Sequence, residues 1–272
     1  MRPLLTILAA APLLGVDVEP AKLTVADAAI LDPGRWELEL GATWRRSADT
    51  FDDTGSREDR DGVRRELAAS LGVSYGLAAD LDASLEVGYA RIRDKTLTPS
   101  SGNGITDAEL GLRWRFWSGG DAAAAAALAL IPTIGIPLGS DDSDDLPTAS
   151  TVWTPGLMLA ASGHHGLWSG NADLGWSQPI GSEEDRGGVV GTVVADVAVG
   201  YVVEAGVQPE LGISWSMDEV ESGDAPWSLA VSAGAQVAME QGRFAVGLQQ
   251  VVAGTLTDAA TVILLDVVIP LP

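Results

Sequence analysis

The chain has 272 residues, with 38 acidic against 16 basic side chains, a net charge of −22 and no cysteine. This charge excludes nucleic-acid binding, which needs clustered Lys and Arg, and the lack of cysteine excludes disulfides, a thiol nucleophile and a Cys-based metal site. Mean hydropathy is +0.18, yet no window approaches the roughly 18 continuous apolar residues of a spanning helix.

At the start, Arg2 precedes an apolar run from Leu4 to Gly15. This matches a secretory signal peptide and places it within residues 1–22, leaving residues 23–272 as a single domain. A buried N-terminal strand or helix is the alternative. Cleavage is expected after Gly15, or at the small-x-small Ala26-Asp27-Ala28.

From residue 35 onward, apolar and polar residues alternate with period two, the signature of strands. Residues 35–46 set Trp36, Leu38, Leu40 and Trp44 against Glu37, Glu39 and Arg45. Residues 65–76 set Leu67, Leu71 and Tyr75 against Glu66 and Ser74, and residues 82–92 set Leu85, Val87 and Tyr89 against Glu86. "GITDAELGLRWRFW" (104–117) sets Leu110, Leu112, Trp114 and Phe116 against Asp107, Glu109, Arg113 and Arg115. Residues 123–137 are less regular because of Pro132 and Pro137. Six further runs follow, at 151–162, 168–178 (with Asp173), 189–202 (with Asp196), 207–217 (with Glu210), 227–238 and 243–252. A last run, 259–270, carries Asp266 as its one charge, so the pattern predicts about twelve strands.

The connections alternate too. Short ones are expected near 76–81, 118–121, 163–166, 203–206 and 240–242. Longer polar ones are expected near 47–63, 93–104, 139–150, 180–188, 218–226 and 253–258. Short turn, long loop, short turn is the rhythm of an outer-membrane barrel. Runs of ten to twelve residues exceed the usual five or six of globular sheets and match the 9–11 that cross a bilayer at a tilt. The predicted fold is therefore all-β: an antiparallel up-and-down transmembrane β-barrel with short periplasmic turns and longer extracellular loops. A soluble secreted β-sandwich, which also has one wet face, is the rival. Trp36, Trp44, Trp114, Trp153, Trp176, Trp215 and Trp227 fall at or near strand ends, where an aromatic girdle belongs; core anchoring in a soluble domain is the alternative.

Two segments resemble the outer-membrane family named for the meta-pathway of phenol degradation. "LTVADAAILDPGRWELELGATW" (23–44) is similar to its mature start and first strand. "GITDAELGLRWRFW" is similar to its Gly-x-x-Asp-x-x-x-Gly-x-(Lys/Arg)-(Tyr/Trp)-Arg strand, through Gly104, Asp107, Gly111, Arg113, Trp114 and Arg115. That family's Pro-Thr-Gly element is here Pro137-Leu138-Gly139, a partial match, and the terminal "VVIPLP" departs from the aromatic ending that barrel assembly often reads. The resemblance implies an outer-membrane transporter of small molecules, aromatic or hydrophobic ones among them.

In a barrel, Glu37, Glu39, Arg45, Glu66, Glu86, Asp107, Glu109, Arg113, Arg115, Asp173, Asp196, Glu210 and Asp266 face the lumen. They form either a charged constriction that orients solutes or a network that plugs a narrow barrel. Asp141, Asp142, Asp144 and Asp145 could bind a hard cation, but lack the EF-hand pattern and read better as a solvated acidic loop. His164 and His165 are the only histidines, and no nucleophile motif accompanies them. No enzyme activity, metal or cofactor is expected. The expected partners are outer-membrane lipid and a small solute.

Overall fold

The computed structural model describes residues 25–95, 99–138, 146, 148–182, 186, 188–203, 206–239 and 241–271. Residues 1–22, expected to hold a signal peptide, and the acidic residues Asp141, Asp142, Asp144 and Asp145 lie outside them. Among the described residues every regular element is a strand. They are β1 (Trp36–Phe51), β2 (Arg57–Ala78), β3 (Leu81–Asp94), β4 (Ser100–Ile105), β5 (Ala108–Gly120), β6 (Ala124–Ile136), β7 (Thr154–His165), β8 (Trp168–Ser177), β9 (Val189–Tyr201), β10 (Val207–Val220), β11 (Trp227–Met239), β12 (Gly242–Thr255) and β13 (Thr257–Leu271).

These strands form one antiparallel sheet that closes on itself, with β1 paired to both β2 and β13. β4 and β5 pair along the same edge of β3, so they are two halves of one barrel strand and the barrel has twelve staves. The break is a bulge: from Tyr89 back to Glu86, β3 is opposed by Ile105 through Glu109, one residue more. The extra residue lets Thr106 keep a backbone bond to the Gly88 carbonyl (2.9 Å) while Asp107 is re-aimed, as bulges do.

Closure removes every sheet edge and satisfies the backbone internally, which a hydrocarbon environment requires. The distribution of side chains agrees with that environment. Leu211 is 68% exposed and Leu67 56%, whereas Gln208, Glu210 and Gln236 are 4%, 3% and 3% exposed. A soluble sandwich buries its leucines and exposes its glutamates, so this is a barrel with a greasy outside and a polar inside.

Five connections are short, at residues 79–80, 121–123, 166–167, 202–206 and 240–241, and all lie at one end of the barrel. The start of β1 and the end of β13 lie there too, because Trp36 is paired with Leu271. At the other end the expected long loops are partly corrected. Most of 47–63 and 93–104 is strand, extending the sheet beyond the apolar band. The expected loop 253–258 is a reversal through Leu256 alone, between Thr255 and Thr257. Arg60 locks this extension, bonding Asp94 at 2.9 Å and also Asp258. Polarity in these stretches does not mean loop, because polar residues also form strand where the sheet stands in water.

Candidate functional site: the lumen and its N-terminal segment

Residues 25–34 run inside the barrel. Gly34, at φ 83°, turns the chain at the rim, and its N–H donates to the Gly76 carbonyl at 2.8 Å. A Cβ at Gly76 would meet the Leu31 carbonyl oxygen at 2.8 Å and collide with that of Asp32, so only glycine admits the turn here. From the rim inward, side chains of the wall hold the segment. Asp82 of β3 accepts from Leu31 N–H (3.2 Å), Ser162 of β7 from Ala28 N–H (2.8 Å) and Asp173 of β8 from Ala26 N–H (2.8 Å). Arg113 of β5 donates to the Ala29 carbonyl (2.6 Å) and to Asp27 (2.9 Å). Ala28 is fully buried and Val25 packs on Ala198 of β9.

The segment is the shared wall of two cavities. Val25, Ala26 and Asp27 line one of about 490 Å³, together with Glu37, Glu39, Glu86, Arg113, Arg243 and Asp266. Ala28 and Ala29 line another of about 520 Å³ at the short-turn end, with Arg115, Asp121 and Ser162. The first is charged. The second is walled largely by alanine and glycine of β5–β7, whose small side chains leave the space open.

The charged residues picked out by alternation have different placements. Glu37, Glu39, Glu86 and Arg113 line the first cavity with Asp266. Glu109 lies opposite Glu86, and Arg45 opposite Glu66. Asp107 instead accepts from Ser150 N–H at 3.0 Å, pinning the β6–β7 connection at the long-loop mouth. Gly102 and Gly104 make room there, since a Cβ on Gly104 would lie 2.7 Å from the Thr148 hydroxyl. Arg115 binds the Asp80 carboxylate at 2.7 Å, staying with the short β2–β3 turn. Asp173 and Asp196 oppose each other across β8 and β9. Glu210 belongs to a buried amide network, accepting from Gln208 at 3.1 Å and from Gln236.

Sequence reasoning missed the inserted segment and its holder Asp82, as well as Arg243, which binds Asp266 at 3.2 Å. Val25–Leu31 has neither alternation nor bulk, and its small-x-small pattern drew it to a cleavage-site reading. Arg243 stands at the very start of its strand, where alternation carries little information.

The tryptophans stand at both ends of the barrel. At the short-turn end Trp36 packs on Tyr75 (ring centroids 4.4 Å apart), Trp168 on Tyr201 (4.7 Å) and Trp114 on Phe116 (6.0 Å). Towards the long-loop end stand Trp44, Trp176, Trp215 and Trp227, with Trp153 bridged to Ile180. His164 and His165 end β7, and His164 lines the second cavity.

No protein-family model matches the chain, and no curated protein matches it. Solved structures do. An outer membrane channel from Pseudomonas putida F1 superposes with a TM-score of 0.75 at 15% identity, covering 94% of this chain and 100% of that one. The beta domain of the Bordetella autotransporter BrkA gives 0.51 at 10% identity, over 87% of this chain and 99% of that one. At such identities the likeness establishes the fold: that of outer-membrane β-barrels.

Proposed function

We propose that this protein is an outer-membrane channel that passes small solutes through a lumen controlled by its own N-terminal segment. The observation that carries the reading is the luminal cavity of about 490 Å³, a volume suited to a small molecule, with residues 25–27 as its movable wall. The segment is held by side-chain hydrogen bonds, not by sheet pairing. Such bonds contribute about 1–3 kcal/mol each and none of them belongs to the sheet, so the segment can leave while the barrel stays closed.

The resemblance to the phenol meta-pathway family adds small aromatic or hydrophobic molecules as a solute class. A single aromatic ring fits by size. The lining carries Asp27, Glu37, Glu39, Glu86 and Asp266 against Arg113 and Arg243, which favours neutral polar and cationic solutes over anions. The proposed role is transport without covalent chemistry or a cofactor.

The complete burial of Ala28 supports a second reading, a barrel permanently plugged. Planar-bilayer recording separates the two, comparing the full chain with a variant lacking residues 25–31. The channel reading expects conductance steps in the full chain and larger steps in the variant. Silence in the full chain with steps in the variant favours the plug, and silence in both overturns the channel.

A further inference from the structure

The outward face of β1–β3 carries a cluster of cations with no ion-pair partner among the described residues. Arg46 lies directly opposite Arg65, and Arg65 directly opposite Arg93. Arg91 stands on the same face of β3, opposite Leu67, and Lys95 follows at the end of that strand. All five are exposed. Six other arginines, Arg57, Arg60, Arg113, Arg115, Arg186 and Arg243, each have a carboxylate. Arg46, Arg65, Arg91 and Arg93 have none among the described residues. Their lateral neighbours are neutral, namely Thr261 beside Arg46, Ser101 beside Arg93 and Asn103 beside Arg91.

Like charges directly opposite across strands repel, so the row Arg46–Arg65–Arg93 is unfavourable unless an anion lies on it. Adjacent strands are about 4.8 Å apart, and the row therefore spans about 10 Å. Its height is equally specific. The next outward positions towards the short-turn end are Trp44, Leu67 and Ile263, with Trp44 paired to both others. Leu71, Leu85 and Tyr89 continue the apolar band. The cations therefore stand where the band ends on the long-loop side, which in an outer membrane is the outer leaflet.

We propose that this face binds a phosphate-bearing glycolipid of the outer leaflet. The guanidinium forks of Arg46, Arg65, Arg91 and Arg93 take its phosphates, a geometry arginine matches well, and its acyl chains lie along Leu67 and Leu71. In a chain of net charge −22, an anionic lipid is otherwise repelled, so the patch also sets which side of the barrel that lipid covers. The proposal rests on the outer-membrane placement, not on solute passage.

The test is native mass spectrometry of the full chain in detergent, with bisphosphorylated lipid A as the probe. Its dephosphorylated form and inorganic phosphate serve as alternatives, and a heat-modifiable gel shift verifies folding. The wild type is expected to retain bisphosphorylated lipid A at least about tenfold better than the R46Q/R65Q/R91Q/R93Q variant, a difference of about 1.4 kcal/mol. The dephosphorylated form should bind the wild type as weakly as the variant binds the intact lipid. If the quadruple variant lacks the gel shift, the R65Q/R93Q pair is used, with the same direction expected. Equal retention by wild type and folded variant overturns the site. Equal retention of the dephosphorylated lipid, or displacement of the lipid by millimolar inorganic phosphate, overturns the lipid as its ligand.

Discussion

Arg113 shows how one side chain links wall and plug. It stands on β5 between Asp27, which is 5% exposed, and Asp82, which is 3% exposed, at 2.9 and 3.9 Å. Removing one partner of a buried pair leaves the other charge stranded, at a cost of roughly 3 kcal/mol, the low end because the guanidinium is 28% exposed. Arg113→Gln is therefore expected to free the segment while the barrel remains folded. Limited proteolysis within residues 25–34, slow in the wild type, should become fast. Unchanged protection in the variant would show that the backbone bonds to Asp173 and Ser162 suffice. A second residue acts at the far end of the molecule. Asp52, at the water-exposed tip of the β1–β2 hairpin, accepts from the Thr54 hydroxyl (2.8 Å), Ser56 N–H (2.7 Å) and Thr54 N–H (2.9 Å). The Thr54 side-chain bond first, then the backbone bonds, hold its carboxyl below the ordinary value. A lowered folded pKa means the turn is fully supported above the ordinary aspartate range, and the support fades as pH falls through the folded pKa. Amide exchange at Thr54 and Ser56 should accelerate relative to strand amides in strong acid. Asp52→Asn should show the fast rate at neutral pH; equal rates for both proteins at neutral pH would contradict this.

At the scale of elements, alternation made the strands legible because each of them separates lipid from lumen. Trp36, Leu38 and Leu40 against Glu37 and Glu39 could not be misread, since a one-residue slip would put every carboxylate into hydrocarbon. The ends were less legible. Above the apolar band no face needs to be greasy, and the sequence from Ser47 to Val63 loses its period while the sheet continues. The β12–β13 reversal was invisible for another reason: it uses Leu256 at φ 51°, where a glycine would have announced it. A left-handed leucine costs about 1–2 kcal/mol, and this one is 48% exposed with little packing to lose. Leu256→Gly is therefore expected to stabilise the barrel by about 1 kcal/mol, after allowing for the greater unfolded-state freedom of glycine. Urea unfolding from detergent or lipid should show a raised midpoint; a lowered one would mean that the leucine anchors the hairpin. The inserted segment was illegible because nothing local marks it: Val25–Leu31 is defined by what holds it, and its holders stand on β3, β5, β7 and β8.

At the scale of the whole molecule, charge is sorted by compartment. Exposed basic residues crowd the outside of β1–β3, while the luminal cavity collects Asp27, Glu37, Glu39, Glu86 and Asp266 around Arg113 and Arg243. The arginines are already engaged, with Asp27 and Asp266, so the field along the path is set by the remaining glutamates. Low-dielectric walls focus such a field and enrich the opposite ion. The open lumen is thus expected to prefer cations, which a reversal potential measured across a KCl gradient reads directly. Glu37→Gln with Glu39→Gln should shift that potential towards zero. Raising the salt should do the same, because the Debye length falls from about 10 Å at 0.1 M to about 3 Å at 1 M. The variant lacking residues 25–31 should keep the cationic sign, since those glutamates belong to the wall, but with a smaller potential, because losing Asp27 frees Arg113. A potential of anionic sign in the full chain would show that Arg113 and Arg243 govern passage.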